Sequence, residues 1–140
     1  MKNEVIGKEL ATSLVQQYLY ERKTWDRLLD YMQEENIHYK NRLSDILKND
    51  IDQSLIEMIE SFLNKFILED SDISNFRHNV SGANNVITAK QKDSEQRESI
   101  DKVVITQNKL RKDIEVIEKE FNGLKFEFNK YLSEHFETNR

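Results

Sequence analysis

Ile100-DKVVITQNKLRKDIEVIEKEFNGLKFEFNK-Tyr131 carries the most regular pattern in the chain. Ile100, Val103, Gln107, Leu110, Ile114, Ile117, Phe121, Leu124, Phe128 and Tyr131 step by alternating threes and fours. Residues at those separations are neighbours on the surface of an α-helix, so the spacing predicts one long apolar stripe. The stripe is as narrow as a coiled-coil seam and runs for five heptads with one polar member, Gln107. Gly123 lies beside it. A glycine inside a helix costs about 1 kcal/mol relative to alanine, which predicts a close approach or a local bend there.

Upstream of this stripe, residues 88–99 (TAKQKDSEQRES) hold one apolar side chain, Ala89. A second stripe precedes them: Ile59, Phe66, Ile73, Val80 and Ile87 at seven-residue spacing, with Phe62, Phe76 and Ala83 as companions. Its phase survives the polar residues 69–72 and the turn-forming residues 81–85, which predicts one continuous helix. We place the second turn near 90–95, where Asp93 and Gln96 have helix-starting spacing. Residues 81–85 are the competing choice, being richer in turn formers.

The first stripe comprises Ala11, Tyr18, Trp25, Met32, Tyr39 and Ile46, with Leu14 or Val15, Leu28 or Leu29, and Leu43 between them. Asn36 falls on it as a polar interruption. Lys48-Asn49-Asp50 is the first turn, and Asp50 with Gln53 has capping-box spacing for the next helix.

Composition agrees with helices. The 140 residues include no proline, no cysteine and three glycines, too little punctuation for a sheet-rich fold and no thiol for a disulfide or a nucleophile. The expected fold is all-α, an elongated antiparallel three-helix bundle of coiled-coil character, with helices at about 8–48, 51–90 and 95–137 in one domain over 1–140. Each helix would be about 60 Å long. Spectrin-type repeats share this up-down-up plan. Leu19, Leu29, Leu63 and Leu68 fall off the main stripes, which predicts a homodimer or a larger helical assembly.

The net charge of −5 is unevenly spread. Residues 51–75 carry six acids (Asp52, Glu57, Glu60, Glu69, Asp70 and Asp72) against Lys65 alone. Residues 90–112 carry seven bases against four acids. An acidic chain is a poor binder of nucleic acid, because phosphate neutralisation supplies most of that affinity. The first ten residues hold no apolar run of signal-peptide length, and no window has the 18 apolar residues of a membrane span. The expected location is cytoplasmic, without membrane or nucleic-acid partners.

Motifs for chemistry are sparse. Glu35-x-x-His38 has the spacing of di-iron carboxylate bundles, but no second such pair exists, since Asn75 and Leu132 stand three residues before His78 and His135. Neither a metal nor a cofactor is therefore expected. Tyr18, Tyr20, Trp25 and Tyr31 mingle with Arg22, Lys23 and Arg27, yet Glu21, Asp26 and Asp30 cancel that charge. The expected function is a non-enzymatic scaffold or adaptor that binds another protein or itself, through an acidic surface that includes Glu57, Glu60 and Asp70.

His78-Asn79-Val80-Ser81-Gly82-Ala83 resembles the histidine-phosphotransfer motif over these six residues. In that family an exposed histidine on a helical bundle accepts a phosphoryl group, a lysine three residues on aids phosphate binding, and a glycine four residues on gives the partner room. The resemblance implies His78 as phosphoacceptor and Gly82 as the glycine, with Ser81 in the lysine's place.

Overall fold

The computed structural model describes residues 2–92 and 100–136, and the side chains of 12–87 and 100–136. Among the described residues there are three helices and no strand: α1 (Lys2–Leu47), α2 (Gln53–Lys92) and α3 (Ile100–His135). The fold is an all-α three-helix bundle. Its boundaries differ from expectation. α1 already begins at Lys2, not near residue 8. α2 is helical through 81–85 and on to Lys92, so those five residues are not a turn. Residues 90–92, expected to begin the second turn, are still helical, and the rest of that turn with the start expected at Asp93 and Gln96 lies outside the described residues.

The first turn is longer than expected. Leu55 and Ile56 both donate their N–H to the Asp52 carbonyl at 3.0 Å, so Asp52 and not Asp50 stands at the head of α2. Ile51 explains the delay. It packs against the apolar core before the helix begins.

The chain forms two compact units, Met1–Leu28 with Asn75–Ile114 (unit 1) and Leu29–Ser74 with Glu115–Arg140 (unit 2). Each helix contributes a segment to both. In unit 1, Val15 and Tyr18 of α1 pack with Ile87 of α2 and Val103 of α3. Trp25 meets Phe76 edge-on at 5.8 Å between ring centres. Arg22 reaches Asn84, and Trp25 the earlier Phe76, so α1 and α2 are antiparallel.

In unit 2, Leu43 and Ile46 pack with Ile59, Phe62 and Phe66 of α2 and Leu124, Phe128 and Leu132 of α3. Phe128 contacts the rings of Tyr39, Phe62 and Phe66 at 5.3–5.4 Å. Tyr31 meets Phe121 and Tyr39 meets Phe128, so α1 and α3 run parallel. Edge-on and tilted aromatic pairs of this kind add about 0.5–1.5 kcal/mol each beyond area burial.

The off-stripe leucines divide. Leu29 is fully buried and belongs to the core, Leu19 and Leu63 are partly buried against it, and Leu68 alone of the four is 64% exposed. Gly123 is not a close-approach point, because a Cβ built there would meet no atom within 4 Å. No described helix is long and apolar enough to cross a membrane.

Candidate functional site

Among the described residues four polar side chains are buried on the stripes: Arg22 and Gln107 in unit 1, Asn36 and Glu69 in unit 2. They make two polar layers in otherwise apolar cores.

In unit 1, Arg22 Nε donates to Gln107 Oε1 at 2.8 Å and Arg22 Nη1 to Asn84 Oδ1 at 2.7 Å. Gln107 Nε2 donates to Glu21 Oε1 at 2.7 Å, and Arg111 Nε reaches both Glu21 oxygens at 2.9–3.0 Å. Burial pushes the Glu21 carboxyl up, but hydrogen bonds from Arg111 and Gln107 and the charges of Arg111 and Arg22 outweigh it. Glu21 therefore titrates below the ordinary carboxylate range. Burial lowers the Arg22 pKa, partly offset by the Glu21 charge. One Arg22 nitrogen, Nη2, has no hydrogen-bond partner.

In unit 2, Asn36 Nδ2 donates to Asp70 Oδ1 at 2.8 Å, and Lys40 forms an ion pair with the other Asp70 oxygen. One residue earlier, Glu69 is 5% exposed and its Oε1 accepts no hydrogen bond. Glu69, Asp72 and Glu120 each bring a carboxylate oxygen to within 4.8 Å of the other two. Burial, with the charges of Glu120, Asp72 and Asp70, pushes the Glu69 carboxyl up to about 7.

The residues expected to act are dispersed. Glu57 and Glu60 are exposed on α2. Asp70 is half-buried and engaged by Lys40 and Asn36, so it is a structural group and not a free acid of the surface. Glu35 accepts from Lys125 Nζ and from the Tyr31 hydroxyl, each at 3.0 Å, and His38 is exposed. The Lys125 bond holds Glu35 below the ordinary carboxylate range.

His78 and Gly82 are exposed in unit 1 beside an open groove of about 450 Å³, between α2 and α3. Asn79 of α2 and Thr106 and Lys109 of α3 line the same groove. Lys109 was not among the expected site residues, because it lies far from His78 in the chain.

Arg22 and Glu69 were also missed. Each was read as an ordinary surface charge, yet their spacing puts them on the stripes. Val15, Tyr18, Arg22, Trp25, Leu29, Met32 and Asn36 alternate threes and fours, and Glu69 stands seven residues from both Phe62 and Phe76.

Against known protein families, curated proteins and solved structures the chain shows no match.

Proposed function

We propose that the chain is a non-enzymatic interaction module that docks a partner protein on the outer face of α2 in unit 2. One observation carries this reading. Ile67 is 50% exposed and Leu68 is 64% exposed, and they share a helix face with Glu57, Glu60 and Asn64. Uncovered apolar side chains rimmed by acids suit an amphipathic partner helix with apolar anchors and flanking bases. A second copy of the same face would set Glu57 and Glu60 against like charges, so a basic partner is favoured over a symmetric homodimer.

The test is a photo-reactive residue at the exposed Asn64, used in the native cell. The reading expects one cross-linked protein, lost in Glu57→Lys/Glu60→Lys and in Ile67→Ser/Leu68→Ser. Cross-linking that both variants leave unchanged rules the face out. A product of twice the chain's mass makes the partner a second copy.

The alternative is phosphotransfer at His78. Lys109 favours it, since it brings into the His78 groove a cation that Ser81 does not supply. Phosphoramidate would pass its phosphoryl group to an imidazole nitrogen, forming a P–N bond and releasing ammonia. Acid-labile phosphohistidine absent from His78→Gln and reduced in Lys109→Ala is the expected result. Equal label in His78→Gln removes the reading.

A further inference from the structure

We propose that Glu69, Asp72 and Glu120 form a binding site in unit 2 for a hard divalent cation, Ca²⁺ in preference to Mg²⁺. Glu69 and Asp72 stand three apart on α2, on adjoining positions of one face, and α3 brings Glu120 to them. One oxygen from each lies within 4.8 Å of the others.

The burial of Glu69 makes this more than a group of surface acids. The side chain occupies an apolar-stripe position, is 5% exposed, and its Oε1 is enclosed without a donor. A buried carboxylate oxygen left without a partner is strongly unfavourable, and two further carboxylates beside it raise the penalty. Lys40 does not relieve it, because it is bound to Asp70. A cation at the meeting point of the three oxygens would neutralise the buried Glu69 carboxylate and cancel the mutual repulsion.

The donor set selects the ion. Oxygen-only carboxylate ligands suit hard cations. Three carboxylates from two helices make an irregular shell, which Ca²⁺ tolerates better than Mg²⁺ with its near-ideal octahedral demand. Asp72 and Glu120 are exposed, so water can complete the coordination shell. The bound ion would tie α2 to α3 within unit 2.

The full chain, freed of metal with a chelator and held at pH 7.5, is titrated calorimetrically with Ca²⁺ and with Mg²⁺, and its thermal unfolding is followed in parallel. One saturable Ca²⁺ site per chain is expected, with Tm raised by roughly 8 °C at a hundredfold excess over Kd and a smaller response to Mg²⁺. Asp72→Asn and Glu120→Gln change exposed side chains, so both variants fold, and each should weaken Ca²⁺ at least tenfold. Glu69→Gln, which keeps the shape and removes the buried charge, should abolish the shift. No saturable binding at millimolar Ca²⁺, or binding unchanged in Asp72→Asn and Glu120→Gln, overturns the site. Equal affinity for Mg²⁺ overturns the preference for Ca²⁺.

Discussion

Arg22 on α1 donates its Nε–H to Oε1 of Gln107 on α3 at 2.8 Å, and both side chains occupy stripe positions where apolar residues would ordinarily pack. A buried guanidinium is costly to desolvate, and its hydrogen bonds largely offset that cost without adding to stability. What such a pair adds is discrimination. Any other pairing of α1 with α3 would strand both polar groups among apolar side chains.

Removing one partner should therefore be worse than removing both. Gln107→Leu leaves Arg22 Nε unpaired and should lower unfolding free energy by about 2–4 kcal/mol. Adding Arg22→Met should restore most of that loss. Urea midpoints of the two single variants and the double variant measure the coupling. Additive losses would show that the two residues act independently.

Glu69 gives unit 2 a pH dependence in the absence of divalent cations. Its carboxyl titrates at about 7 in the folded chain, against 4.5 ordinarily. Between those values the folded state holds more protons than the unfolded one, so stability falls as pH rises through this window. The groups facing it are Glu120 on α3 and Asp70 and Asp72 on α2, with Lys40 of α1 engaged by Asp70. Chelator-treated protein should lose on the order of 3 kcal/mol from this group between pH 4.5 and 8. Glu69→Gln should flatten that fall, as seen in urea unfolding at a series of pH values.

The acids of α2 should separate by role. Glu57→Lys/Glu60→Lys alters exposed side chains and should change stability by no more than about 0.5 kcal/mol. Asp70→Ala frees the fully buried Asn36 Nδ2 and the Lys40 charge and should cost about 1–3 kcal/mol. Thermal unfolding of the variants distinguishes the docking face from the polar layer.

Gly82 and Gly123 are helical and have open space where a Cβ would go. Gly82→Ala and Gly123→Ala should each stabilise by about 0.5–1 kcal/mol through the unfolded chain's lost freedom. The substitutions lie in different units, so the gains should add. Calorimetric unfolding of the double variant checks both statements.

Much of this fold was legible because the stripes are regular. Phe121, Leu124 and Phe128 are buried where their spacing placed them, and Val80 and Ile87 carry α2 past the turn-forming residues 81–85. The polar layers were harder to read. Reading a stripe by its apolar members alone passes over Arg22 and Glu69, whose positions fit the period but whose charges suggest solvent. Asp70 looked like one more surface acid, since nothing local announces that Lys40 and Asn36, both on α1, engage it. The Glu69, Asp72 and Glu120 grouping was hidden for the same reason, because only folding brings α3 to α2 there.

Trp25 is the single tryptophan, and it lies buried in unit 1 against Phe76. Indole emission is thus a local reporter. It follows the loss of packing around residues 25 and 76 and is blind to the aromatic cluster at Phe128, while far-ultraviolet circular dichroism weighs every helical turn equally. A chain that melts all at once must give the same midpoint by both signals. If emission and ellipticity part along a denaturant series, the order in which they change names the unit that opens first.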